Sequence, residues 1–198
     1  MLTCLGGNAA LERSATFVEP PGWRHNVARR RASFLPGYST LSDVGMDGDF
    51  VTPLQIEACS ATGPTLVAFN WSDAATARER REFLRDRGYL PCIPFNRVLN
   101  MALASLGLAR RDTYMTQAFH LLTERRSSGV PFRDVRAPFE AVTRHELEGR
   151  RVVALGRAAA RACATLGVDH VELPHPSARG RPFKDRAACI AEGIRRIL

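Results

Sequence analysis

Lysine is nearly missing from this chain. Lys184 is its only one, although Lys and Arg together number 28 against 20 Asp and Glu. The net charge of +8 is therefore an arginine charge, carried on planar forks that match phosphate oxygens two at a time. Long apolar runs are missing as well, so no segment reads as a bilayer span. The start, LTCLGGNAALERS, lacks the basic end and apolar middle of a secretory signal. Both absences predict a cytoplasmic protein without a membrane partner. Cysteine is sparse and odd in number (Cys4, Cys59, Cys92, Cys163, Cys189), and no two are spaced as CxxC. That argues against a disulfide framework, a zinc site and a four-cysteine iron–sulfur cluster, so no metal is expected.

What is present fits a globular domain. A chain of 198 residues that is 45% hydrophobic can bury a core without covalent staples. A basic surface of this kind can serve nucleic acid, an anionic membrane surface or solubility alone, and arginine richness also follows from GC-rich coding. The charge and its distribution favour nucleic acid. Residues 1–50 read as a loop-rich basic extension with room for one short helix. They hold Pro20-Pro21-Gly22, Pro36-Gly37 and Gly45 to Gly48, and the run Arg29-Arg30-Arg31 lies between them. That run suits either a phosphate-gripping arm or a solvated turn.

From residue 51 to 198 the pattern becomes regular. TLVAFN at 65–70, DTYMTQ at 112–117, RVVAL at 151–155 and HVEL at 170–173 read as strands. Helical patterns follow them at 74–87, 138–147, 157–166 and 183–198, and a further helix with a stripe of Val98, Leu99, Ala102, Leu103 and Leu106 opens at Phe95. Residues 120–135 read as a loop, and VTRHELEGR at 142–150 as the end of a surface helix. Strand and helix alternate four times, which predicts an α/β fold: a three-layer α/β/α sandwich around a central four-stranded parallel sheet. Ligands of such sheets bind outside the carboxyl ends of the strands. Here those ends are FNWSD, TQAFH, LGRAA and LPHPS.

PFNRVLNMALASLGLARRDTYMTQ, ELEGRRVVALGRAAA and the His175-Pro176-Ser177 stretch together resemble the uracil-DNA glycosylase superfamily, over roughly Pro94 to Phe183. The resemblance implies DNA as partner, a pyrimidine flipped out of the duplex, and hydrolysis of its N-glycosidic bond by a monomer without a cofactor. His175 then stabilises negative charge on the departing base. Pro174 and Pro176 stiffen its backbone, and Phe95 stacks on the flipped ring. Ser177 holds a phosphate, while Arg179 and Arg181 belong to the loop that enters the minor groove and Lys184 makes a further DNA contact. Phe95 also suits a core position, and the histidine between prolines also suits a surface turn.

The sequence departs from the family at two strand ends. After the first strand stands Phe69-Asn70-Trp71-Ser72-Asp73. Asn70 can hold a water but cannot take its proton. Asp73 could act as a base only if the turn folds it back; otherwise it caps the following helix. Phe69 and Trp71 flank these as candidate base contacts. The second strand ends in Gln117 where an asparagine is usual, which predicts a pocket altered for another base, with His120 on the same rim. Two alternatives follow. One is a base-modifying transferase in which an amine displaces phosphate from a 5-phosphomethyl-pyrimidine, with Arg125, Arg126, Arg144 or Arg157 around the leaving group. The other is an inactive DNA-binding module. A lyase working through Lys184 is a lesser variant.

Overall fold

A computed structural model describes residues 19–198. Cys4 and the start of the basic extension lie outside the described residues. The fold is the α/β sandwich that the alternating pattern predicts. Four short strands, β1 (Thr65–Ala68), β2 (Tyr114–Gln117), β3 (Val152–Leu155) and β4 (Val171–Leu173), form one parallel sheet in the order β2-β1-β3-β4. β1 and β3 are central and buried along their whole length, which explains why they read as unbroken apolar runs rather than alternating ones.

Two helical layers cover the sheet. On one face α4 (Pro94–Ser105) and α8 (Phe183–Arg195) pack on Leu66, Met115, Val153, Leu155 and Leu173. α8 approaches β4 so closely at Gly193 that a Cβ there would lie 2.1 Å from the Leu173 side chain. On the other face α7 (Arg157–Thr165) contributes Ala159, Ala160, Ala162 and Cys163 against Val67, Val152 and Ala154.

The stretch 74–87 divides at Arg80 into α2 (Ala74–Glu79) and α3 (Arg81–Arg87), a break that no local Gly or Pro signals. The helix read at 138–147 starts earlier. α5 (Phe132–Pro138) runs into a wider π turn at Phe139–Thr143 and then α6 (Arg144–Leu147). The widening follows Pro138, whose ring and missing N–H disturb the regular hydrogen-bond ladder. Residues 142–150 are not simply a surface helix end, because Glu146 is buried at 3% exposure.

In the basic extension, α1 (Trp23–Ala32) carries Arg29–Arg31. Arg30 is buried, pairs with Asp47 and donates to the carbonyls of Gly48 and Phe50 at 2.8 and 2.9 Å. Arg31 pairs with Asp47 and Asp49. Both guanidinium groups thus fasten the protein's own 47–50 loop rather than forming a free phosphate-gripping arm. Leu41, Val44 and Met46 pack with Ala74, Ala77, Leu84 and Leu122, so this segment is built into the body of the fold. Among the described residues no helix is long and apolar enough to cross a membrane, and no cluster of His, Cys, Asp and Glu could hold a metal ion.

Candidate functional site

The carboxyl end of β4 leads into a fixed turn. The Ala178 N–H donates to the His175 carbonyl at 2.8 Å, and buried Arg186 of α8 donates to the Pro176 carbonyl at 2.7 Å. The Ser177 N–H donates to His175 Nδ1 at 3.1 Å. Because Nδ1 accepts, a neutral His175 must carry its proton on Nε2, and that edge is a donor. Surrounding protein atoms hold its pKa below the ordinary histidine value, which favours the neutral ring at neutral pH. The ring lies 5.3 Å from the ring of Phe95, tilted by 56°.

Gly156, at the junction of β3 and α7, makes this placement possible. Its φ of +96° is a left-handed value that favours glycine, and a Cβ there would meet His175 Cβ at 2.8 Å. A glycine directly after the apolar run Val152–Leu155 is visible in the sequence, but its steric role against His175 is not.

His175 and Phe95 line a cavity of about 280 Å³, together with Asn70, Trp71, Asp73 and Ser177. Its floor includes Ala68 at the end of β1 and Leu54 from the 3-10 turn Pro53–Ile56, so it sits at the carboxyl ends of the strands. Leu54, Tyr89 and Asn96 are lining residues that the sequence reading did not single out. Asn96 is held on both sides, donating to the Leu90 carbonyl at 2.9 Å and accepting from Arg110 at 2.6 Å. Asn70 is exposed at the cavity edge. Trp71 also lines the cavity, and its indole N–H donates to the Gly88 carbonyl at 2.7 Å.

Asp73 caps α2. Its two oxygens accept from the Thr76 N–H at 2.9 Å and the Thr76 hydroxyl at 2.8 Å, and the residue is 5% exposed. A carboxylate so engaged is poorly placed to take a proton from water. Arg126 lines the cavity too, whereas Arg125, Arg144 and Arg157 do not. Arg179, Arg181 and Lys184 are exposed on the loop and first helical turn that follow the His175 turn.

Three candidates fall outside this lining. Phe69 packs into the core on the α7 face. Gln117 lies beside Ala68 across the β1–β2 register, yet it is 1% exposed and its Oε1 accepts from the Thr52 hydroxyl at 2.9 Å. His120 is 1% exposed, with neither ring nitrogen partnered among the described residues. Burial, aided by the nearby Arg30 charge, pushes its pKa down to about 3. A buried, neutral imidazole cannot contact a base in the cavity.

Behind the Gln117 end lies a buried polar network centred on Glu146. Its carboxylate accepts from Tyr114 and Thr116 hydroxyls at 2.6 Å each and from the Gln55 amide at 2.8 Å. Burial pushes its pKa up, and the three donors pull it back down. Gln55 in turn accepts from the Val51 and Thr52 N–H groups at 2.8 and 3.2 Å, which fixes the turn carrying Leu54. Thr143 in the π turn donates to the Gln117 carbonyl at 2.9 Å.

The arrangement therefore brings an aromatic ring, Phe95, and a histidine whose Nδ1 is already occupied to one cavity at the strand ends. The chain matches no protein-family model, and no curated protein matches it.

Proposed function

We propose that this protein acts on a pyrimidine extruded from DNA, most simply as a monofunctional glycosylase that hydrolyses the N-glycosidic bond of uracil or a modified pyrimidine. The observation that carries the reading is the pairing of Phe95 with a His175 whose Nδ1 is already occupied, in one cavity at the strand ends. The bond from C1′ to N1 breaks with its electron pair going to the base. The His175 Nε2–H then donates to the oxygen on which that charge develops. A water held by Asn70 adds to C1′, and its proton leaves to solvent or to the departing base. Arg179, Arg181, Lys184 and the Ser177 hydroxyl suit contacts to the phosphate backbone, which makes binding salt-sensitive.

The test is purified protein on duplexes containing uracil, hydroxymethyluracil and other altered pyrimidines, with abasic product as readout. His175→Ala should lower the rate on the order of 10²–10³-fold. Absence of abasic product from every duplex rejects the glycosylase.

A second reading is favoured by one observation. Among the described residues Asp73 is the only carboxylate in the lining, and both its oxygens are committed to Thr76. A transferase that adds an amine to a 5-phosphomethyl-pyrimidine with loss of phosphate has no need of a water-activating acid at that position. Its product is a heavier nucleoside, detected by mass spectrometry of digested DNA. DNA binding with neither product leaves the inactive module.

A further inference from the structure

The cavity has a cation that the base-binding reading leaves unused. Arg126 lines it, is exposed, and makes no hydrogen bond or ion pair among the described residues. Its position is nonetheless built. The Ser128 N–H donates to the Arg125 carbonyl at 2.9 Å, closing a four-residue turn with Arg126 at the second position. The segment before it is tied to the start of α2 by the Ala74 and Ala75 N–H groups, which donate to the Thr123 and Glu124 carbonyls at 2.8 and 3.2 Å. Arg78 pairs with Glu124 at 3.2 Å, and the Thr123 hydroxyl donates to the Arg125 carbonyl at 3.1 Å. The backbone under Arg126 is thus held on both sides while its side chain has no partner among the described residues.

Neighbouring groups suit an anion. Asn70 and Ser72 line the same cavity, and neither side chain makes a hydrogen bond among the described residues. Asp73, the one carboxylate lining the cavity among the described residues, has both oxygens directed to Thr76 and does not pair with the guanidinium. His175, which lines the same cavity, offers a neutral donor at neutral pH rather than a second cation. A cavity lined by Phe95 and Trp71 and by an arginine unpaired among the described residues matches a ring carrying a phosphate.

We propose that Arg126, with Asn70 and Ser72, forms a phosphate subsite of the cavity, so that the ligand is a phosphorylated pyrimidine nucleoside rather than a bare base. This rests on the reading of the cavity as a pyrimidine slot. The phosphate has two sources, the sugar 5′ position of an extruded nucleotide or an ester on the base itself.

The experiment is calorimetric titration of the full chain with thymidine, thymidine 5′-monophosphate, 5-hydroxymethyl-2′-deoxyuridine and the phosphate ester of that hydroxymethyl group. In the unaltered protein a phosphorylated ligand should bind about tenfold or more tightly than its parent, as a charge-assisted pair warrants. In Arg126→Ala that ratio should fall close to one, and Arg126→Lys should restore part of it. A gain for the 5′-phosphate assigns the subsite to the DNA backbone, and a gain for the base ester assigns it to a base substituent. If nucleosides bind but phosphate gives no gain, or Arg126→Ala keeps the gain, the subsite is rejected and the pyrimidine slot stands. If no nucleoside or nucleotide binds, the slot is rejected. Inorganic phosphate then decides the subsite alone: perturbation of the Arg126 Nε–H resonance, identified by its loss in Arg126→Ala, keeps it, and no perturbation removes it.

Discussion

The two outer ends of the sheet rim are built in opposite ways. At β4 the chain leaves the sheet into a turn pinned by Arg186 and by its own backbone, and the His175 side chain remains open to a cavity. At β2 the chain continues into a sealed interior, where Gln117, His120 and the Glu146 network are out of reach of solvent. Both ends carry polar and titratable groups. Function is proposed at the end whose backbone is satisfied by the protein while its side chain is left uncommitted. Where side chains are used up by one another, the end becomes scaffold.

The sharpest way to break this comparison is Glu146→Ala. It strands three buried donors, and we expect a loss of about 4 kcal/mol, read as a fall in the urea midpoint. Glu146→Gln keeps an acceptor for Gln55 and Tyr114 and should lose clearly less. If the alanine variant is as stable as the parent, the β2 end is not scaffold.

At the β4 end, Gly156→Val should reproduce much of the His175→Ala defect, on the order of a hundredfold in rate once a substrate is in hand, because its Cβ occupies the space of the His175 Cβ. The His175 imidazole resonances should shift in the same variant while the far-ultraviolet circular dichroism is retained. Unshifted resonances with full activity would show that the contact is not limiting.

His120 gives a pH test. Its folded pKa of about 3 lies below the unfolded value near 6.5, so the unfolded chain takes up a proton first as pH falls. Its contribution to stability is complete above pH 6.5 and is lost as pH drops toward 3, with a slope of up to about 1.4 kcal/mol per pH unit. His120→Phe should remove that slope from a series of urea melts. At neutral pH the variant should be no less stable than the parent, since it also removes two unpartnered nitrogens. An unchanged slope would place the acid sensitivity elsewhere.

The smallest effect belongs to Asp73. Asp73→Ala should cost about 1 kcal/mol through loss of the α2 cap, while Asp73→Asn, which still offers an accepting oxygen, should cost little. If Asp73→Asn instead abolishes catalysis without loss of stability, the carboxylate is a base after all.

Much of the architecture is legible in the chain because it is local. The strands at 65–68 and 152–155 are largely apolar runs next to helical stripes, and such patterns are visible within a dozen residues. The His175 turn and Phe95 are legible because prolines mark their backbones. What escapes the sequence is set by distant partners. Gln55 and Glu146 are 91 residues apart, so nothing near HELEGR announces that its first glutamate is buried. Gln117 reads as a pocket residue by position along its strand, and only the Thr52 hydroxyl, 65 residues earlier, shows that its oxygen is already taken. The split at Arg80 belongs to the same class, since no local Gly or Pro marks it, whereas Pro138 does mark the π turn that follows it.

The contact between Gly193 and Leu173 has a further consequence. The last helix lies so tightly on β4, and lends Arg186 to the turn beyond it, that local opening of the C-terminus releases the histidine's support at the same moment. Amide hydrogen exchange along residues 183–195 should therefore track occupancy of the cavity, slowing when a ligand is bound although none touches the far end of that helix. The tail of the chain is a remote gauge of what the strand ends are holding.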